Sequence, residues 1–513
     1  MVNQVISDQP LSRFQRSDTG IHLGRKPRAD IIIGLVLFLT SCYSFFWQDR
    51  DWNSASRLML TYAIVDRGTI YLDGLEIHAG NPSRKIGDLA VYNGHYLTEK
   101  APGQSLLGVP VYSIWKWVTG SEDHPVNLDK AKPYWVRDYW ITLFTSGIMT
   151  AALGGLIYSA SVHIGMRHFD ATLLALCYGL GTYASVYATL FYGHQSAACL
   201  LFGAYYLILF RKTSHAPSGL FAKGRYHLIA AGMLAGFSVV IEMTLAPIVL
   251  CYLAVIIWKD KSKNSCVVFS LAVATSVLIL PVYHWKAFGD PFSMGYHHII
   301  NSQVRMVHQG VGLWGPDWSI LPRLLWGAQR GLFIYAPISA IAVFGWLLCL
   351  LRLQWWAVIV PAFALVSLLL VNVSHFYWAG GLSTGPRLLL PALPLLFLPL
   401  AFVQADFEKN RKRSARTFRS VLVLFLFVGL TIAMNCAITG GRFGPVNHHV
   451  SGKVSEEIHP LKDEVYSRLV VGKITENLVS AWFDVVPLTQ WLAFFGYMVL
   501  MLSAMGWYTW RCR

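Results

Sequence analysis

Charge is scarce in this chain. Asp, Glu, Lys and Arg make up 13% of its 513 residues, against about 25% in an ordinary soluble protein, and that deficit argues against a water-soluble enzyme. Cysteine is scarce too. Of eight, Cys42, Cys177, Cys199, Cys251, Cys266, Cys349 and Cys436 lie in apolar runs and Cys512 in a basic tail. None falls in a long polar loop, so no disulfide is expected, and with no CxxC or His/Cys cluster no structural zinc is expected either. A P-loop is absent, as is a GxGxxG joining a strand to a helix, which disfavours nucleotide-driven transport and direct use of a soluble nucleotide sugar. His297-His298 with His308, and His448-His449 with His459, lack the i, i+4 spacing and the Glu of a metallohydrolase, so neither a metal nor another cofactor is expected. No internal repeat or low-complexity segment divides the chain, which reads as one unit over residues 1–513.

What the chain has in quantity is apolar surface: 55% hydrophobic residues, 19 Trp, 24 Tyr, 28 Phe and a mean hydropathy of +0.46. Its net charge of +15 sits in short clusters between apolar runs, a pattern that argues against nucleic acid and for orientation in a membrane. Runs long enough to cross, at about 20 residues each, extend from Asp30 to Trp47, Tyr139 to Ile164, Ala171 to Tyr192, Ser265 to Tyr283, Leu332 to Leu351, Trp355 to Val373, Leu388 to Val403, Val421 to Ile438 and Pro487 to Trp507. Ser196 to Phe210 is short, and Leu228 to Trp258 is long for one helix yet short for two. Basic residues on both sides of the latter place both flanks in the cytoplasm, so the chain turns near Glu242; by the same logic Gly193-His194-Gln195 is the tip of a hairpin.

The expectation is an all-α polytopic membrane protein of about twelve transmembrane helices, with residues 1–29 and the C-terminus cytoplasmic and the first crossing a retained anchor, not a cleaved leader. Every long polar segment, 48–137, 284–330, 372–387 and 439–485, then lies on the other face, where there is room for chemistry. Glu242 and His194, at the two hairpin tips, are candidates to line a watery cavity.

In the first loop, Asp49 and Asp51 precede an amphipathic stretch in which Ser54 reads as the N-cap. Leu58, Tyr62 and Val65 share a face and Gly68 is the stop, so a helix lying on the membrane surface is expected. Further on, Tyr92-Asn-Gly-His-Tyr96 reads as a turn between two short extended pieces. Glu99, Lys100, Pro102 and Gly103 follow, then a second interfacial stretch from Leu106 to Trp115. Lys100 there can snorkel or bind a lipid phosphate. Arg387, after Gly380, Gly381, Gly385 and Pro386, stands at the start of a crossing and can reach an anionic headgroup or serve as an interfacial anchor.

A surface helix after the first crossing, with acids before it and Gly68 after it, followed by Tyr96-Leu-Thr-Glu99-Lys100-Ala-Pro102, resembles the GT-C superfamily of integral-membrane glycosyltransferases. The similarity is to family 39, the group of protein O-mannosyltransferases and lipid A aminoarabinose transferases. Tyr96, Glu99, Lys100 and Pro102 match that family's Tyr-x-Glu-Lys-Pro-Pro element, with Ala101 in place of its first Pro. Counting back from Gly68, the family's catalytic Asp falls near Asn53, so Asp51, then Asp49, stand in for it and Asp88 is a rival. The resemblance implies transfer of a sugar, by inversion, from a polyprenyl-phosphate donor to a hydroxyl of a glycan, glycolipid or protein acceptor on the non-cytoplasmic face, in the manner of a bacterial inner-membrane enzyme acting toward the periplasm. The reaction it implies needs fixed cations at the donor phosphate, for which Lys100, Arg57 and Arg387 are the candidates, and His95, Tyr96 and Glu99 are candidates to shape the sugar site, beside His194 and Glu242 at the hairpin tips. Two other readings stay open: a transporter or flippase of a lipid-linked saccharide, and a catalytically silent accessory subunit, which Asn53 at the acid position would suit.

Overall fold

In the computed structural model the described residues are 25–46, 48, 51–75, 77–78, 81–120, 131–210, 225–260, 262–300, 312–352, 354–441, 460–471 and 487–511. Each apolar stretch is helical. The first, α1 (Ala29–Ser44), ends in Phe45 and Phe46, and Phe45 stacks on Phe494 of the last helix, Pro487–Arg511, with ring centroids 4.4 Å apart. After the loop come α4 (Ala131–Thr142), a π-helical turn at Leu143–Gly147 and α5 (Ile148–Ile164). Then α6 (His168–Gly179) and the single turn α7 (Ala184–Ala188) lead to α8 (Gly193–Phe210). The long stretch splits as its flanking charges require: α9 (Tyr226–Ile241) stops at Glu242, whose backbone is extended, and α10 (Ala246–Asp260) follows a short 3-10 turn. The next crossing is α11 (Lys263–Val277) with α12 (Ile279–Phe288). Among the described residues, six helices are by length and composition apolar enough to span a bilayer, and four more apolar helices have 10–17 residues.

Close helix contact is made by residues without side chains. A Cβ on Gly232 or Gly236 of α9 would sit 2.6 Å from the carbonyl of Phe269 or Val273 on α11, and one on Gly429 would sit 2.0 Å from that of Gly181. At one end of the bundle basic residues meet acids: Arg419 holds Asp170 through two bonds of 2.5 and 2.8 Å, and the Arg167 amide donates to Glu408 at 3.0 Å.

At the other end sits the first loop. Helix α2 (Trp52–Arg67) begins at Asp51, not Ser54: the Asp51 carboxylate accepts from the Ser54 amide at 2.9 Å while the Ser54 hydroxyl accepts from the Asp51 amide at 3.1 Å, a reciprocal capping box. It stops at Gly68, whose left-handed φ of 63° favours glycine. The expected face packs inward, Leu58 and Tyr62 lying against Tyr112, Ile141 and Phe191. The opposite face is covered as well, since Ala55, Met59 and Ala63 pack on Leu89, Leu97, Tyr283 and Phe288. So α2 is buried from Asn53 to Ala63, wedged between bundle and loop. The hairpin of strands Leu89–Tyr92 and His95–Thr98 turns at Asn93 and Gly94, with φ of 50° and 83°, as Asn-Gly hairpins do. It hands the chain to α3 (Gly103–Thr119), the second expected interfacial stretch, which leaves Ile114, Trp117 and Val118 exposed.

Candidate active site

The packing of α2 on the bundle brings together charges that are far apart in sequence. Arg57, in its second turn and 5% exposed, points down to the break between α9 and α10, where its guanidinium lies 4.0 Å from Glu242. Glu242 in turn lies 3.0 Å from Nδ1 of His194, in the first turn of α8. Gly193 permits this approach, because a Cβ there would meet Ile241 at 2.6 Å and Glu242 at 3.1 Å. The two hairpin tips thus touch each other and the loop above them.

Lys100 follows the hairpin. Its ammonium donates to Glu99, lies 3.1 Å from Asp88 and stands 5.8 Å over the Tyr296 ring. Burial alone disfavours that charge, but Asp88 and Glu99 outweigh it and raise the Lys100 pKa. Glu99 is 6% exposed, and burial pushes its carboxyl up from 4.5 to about 7, Lys100 opposing the rise and Asp88 adding to it. Gly295 fits against the Glu99 backbone, with its absent Cβ 2.6 Å from the Glu99 Cα.

Arg387 opens a 3-10 segment, Arg387–Leu396. Its guanidinium lies 5.5 Å over the ring of Tyr192, whose hydroxyl donates to Oδ2 of Asp51. Gly380 and Gly381, at φ of 70° and 65°, fold the preceding loop around it, and a Cβ on Gly380 would stand 2.8 Å from the Arg387 Nε. That Nε is buried with no hydrogen-bond partner among the described residues. Behind it Arg330, 1% exposed, holds the same loop by donating to the carbonyls of Ala379 at 2.7 Å and Gly381 at 2.8 Å.

Of the residues picked from sequence, Asp51, Arg57, Asp88, Glu99, Lys100, His194, Glu242 and Arg387 fall into this one cluster. His95 and Tyr96 do not join it through the contacts they make. His95 pairs with Asp73 at 2.6 Å and stacks on Tyr71, while the Tyr96 amide donates to the other Asp73 oxygen at 2.8 Å. Asp49, His308, His448, His449 and His459 lie outside the described residues. The Asn53 side-chain oxygen accepts from the Arg57 guanidinium. Sequence reading missed Tyr192 and Arg330. Tyr192 had a signal, as the residue next to the Gly193-His194 tip; Arg330 had none beyond being a cation at the edge of an apolar run.

Chemically, three cations and four carboxylates share a partly water-shielded space at the ends of the helices. Fixed guanidinium and ammonium groups suit a bound phosphate, and the carboxylates suit proton abstraction.

No protein-family model and no curated protein matches the chain. Solved structures similar in overall form include ArnT from Cupriavidus metallidurans bound to undecaprenyl phosphate, at 11% identity and a TM-score of 0.44, covering 79% of this chain and 75% of that one. Another is the archaeal oligosaccharyltransferase AglB from Archaeoglobus fulgidus in complex with an inhibitory peptide and a dolichol-phosphate, at 12% identity and a TM-score of 0.45, covering 82% of this chain. The chain spans 56% of that protein's length.

Proposed function

We propose that the protein is a GT-C glycosyltransferase that moves a sugar from a polyprenyl-phosphate donor to an acceptor hydroxyl on the non-cytoplasmic face of the membrane. The observation that carries this is the meeting of Arg57, Lys100 and Arg387 with Asp51, Asp88 and Glu242 between the first loop and the helix ends. Basic clusters at the opposite end of the bundle support the orientation.

In this reading Lys100 and Arg387, with Arg57, hold the donor phosphate, and the carboxylate of Asp51 is the base. The acceptor oxygen forms a bond to the anomeric carbon, its proton passes to Asp51, and the bond from that carbon to the phosphate oxygen breaks with its electron pair. The growing charge falls on the cations, which stabilise the departing phosphate. Attack from the side opposite the phosphate inverts the anomeric centre. The test is transfer of radiolabelled sugar from a polyprenyl-phosphate donor by the purified chain with membrane glycolipid extract as acceptor. Transfer lost in Lys100→Met and Arg387→Ala supports the reading, and no transfer or donor binding by the wild-type protein rejects it.

A further inference from the structure

The end of the bundle opposite the candidate site carries a charge that the chain does not balance. The helices Phe397–Asn410 and Lys412–Ile438 meet there at Arg411, and Lys409, Arg411, Lys412, Arg413 and Arg416 are all exposed. Among the described residues none of these five side chains makes a hydrogen bond or an ion pair. The neighbouring acids are already engaged: Arg419 holds Asp170 at 2.5 Å, Arg167 lies 3.6 Å from Glu408 and Arg352 lies 3.5 Å from Asp406.

Helix stability does not account for this placement. Lys409, in the last turn of its helix, does complement the partial negative charge there. Lys412 and Arg413 do the reverse, standing in the first turn of a 27-residue helix that has no acid in that turn, where cations are unfavourable. The cations also continue into an apolar face. At 3.6 residues per turn, Arg413, Arg416, Ser420, Leu424, Phe427 and Val428 lie within about 60° of one line along the helix, and all six are exposed. The apolar part begins at Val421, and Arg416 stands about 7 Å from it toward the helix start, at 1.5 Å per residue. The polar layer of one leaflet is about 5–8 Å deep. Arg416 therefore falls at the depth of lipid phosphates while Leu424 and Phe427 face acyl chains.

We propose that this face is a binding site for an anionic phospholipid, separate from the cluster at the other end. Arg413 and Arg416 hold its phosphate, Arg411 and Lys412 surround it, and an acyl chain lies along Leu424 and Phe427. Juxtamembrane Lys and Arg attract anionic headgroups in this way. A free phosphate would meet the charges alone, and an acidic protein segment would leave the apolar continuation unused.

The test titrates the full-length protein in detergent with phosphatidylglycerol or with phosphatidylcholine of the same acyl chains, read by native mass spectrometry. Phosphatidylglycerol should bind at least tenfold more tightly. Its affinity should fall at least fivefold in Arg413→Gln/Arg416→Gln and at least threefold in Phe427→Ser, which leaves every charge in place. It should change less than twofold in Arg25→Gln/Lys26→Gln, which removes two exposed charges from the segment before α1. Unfolding midpoints within two degrees of wild type are expected in all three, since each altered side chain is exposed. Equal loss in the two double variants, or an affinity unmoved by Phe427→Ser, overturns the proposal and leaves only a general attraction between basic residues and anionic lipid. So does displacement of the bound lipid by inorganic phosphate or a polyglutamate peptide as readily as by a second phosphatidylglycerol of different mass.

Discussion

Asp51 carries two duties that a pair of substitutions can separate. In Asp51→Ala the N-cap of α2 is lost, at about 1 kcal/mol, and the buried Tyr192 hydroxyl loses its partner, at roughly another 1 kcal/mol because the Leu382 carbonyl at 3.4 Å takes up part of the bond. Some 2 kcal/mol in total lowers the unfolding midpoint by a few degrees in a chain this long. In Asp51→Asn the cap survives, since Asn caps as well as Asp, and the amide can still meet both Ser54 and Tyr192. What disappears is the ability to accept a proton, worth about 10²- to 10⁴-fold in rate or roughly 3 to 5 kcal/mol of barrier. Paired measurements of thermal unfolding in detergent and single-turnover transfer of labelled sugar decide it. The Asn variant should unfold within a degree or two of wild type and transfer at most one-hundredth as fast. Transfer within threefold of wild type would show Asp51 to be a helix cap alone, and loss in Asp88→Asn instead would move the base to Asp88.

Lys100→Met leaves Asp88 and Glu99 facing one another without their cation, and affinity for polyprenyl phosphate measured by native mass spectrometry should fall at least tenfold, about 1.4 kcal/mol. Glu99 makes stability depend on pH. Its folded carboxyl, raised to about 7 from 4.5, binds more protons than the unfolded one between those values. Stability is therefore present at low pH and lost as pH rises from about 4.5 through about 7, by on the order of 1–3 kcal/mol; denaturant midpoints across that window should fall, and Glu99→Gln should flatten the curve. Gly380→Ala puts a Cβ 2.8 Å from the Arg387 Nε at a left-handed φ of 70°. It should weaken donor binding severalfold beyond the backbone strain of about 1–2 kcal/mol. Gly74→Ala, at φ of 78° with nothing within 4 Å, carries the same strain and should leave donor binding unchanged.

The apolar helices were legible because hydropathy acts locally, and the turn at Glu242 followed from charge on both its sides. Asn93-Gly94 announced the hairpin because few other pairs tolerate two positive φ angles. The helix cap was misplaced by three residues since Asp51 and Ser54 are both good caps, and only their reciprocal bonds rank them. Burial of α2 on both sides was hidden for a different reason. Its second face is made of small residues, and Ser56, 0% exposed, reaches the Thr98 hydroxyl at 2.5 Å, a contact with no periodic signature. The same holds for Arg387 above Tyr192, since nothing in either neighbourhood names the other. His95 was drawn toward the site by its place beside the Glu99-Lys100 element, but it pairs with Asp73.

Helix interruptions explain why a rigid site can stand at this end of the bundle. Where a helix stops, backbone groups lose their internal partners and must find others in a place that water hardly reaches. Here buried side chains supply them: Arg330 takes the carbonyls of Ala379, Gly381 and Gln329, Tyr187 takes that of Thr384 at 3.0 Å, and Tyr183 that of Pro386 at 3.4 Å. The loop that cradles Arg387 is thereby fastened at each turn. An alternating-access transporter that moved this loop would have to release those carbonyls in every cycle, at about 1–3 kcal/mol for each left buried and unpaired. A transferase needs the opposite, a cation held in place while charge develops on the leaving phosphate. The way the loop is tied down therefore favours transfer over transport.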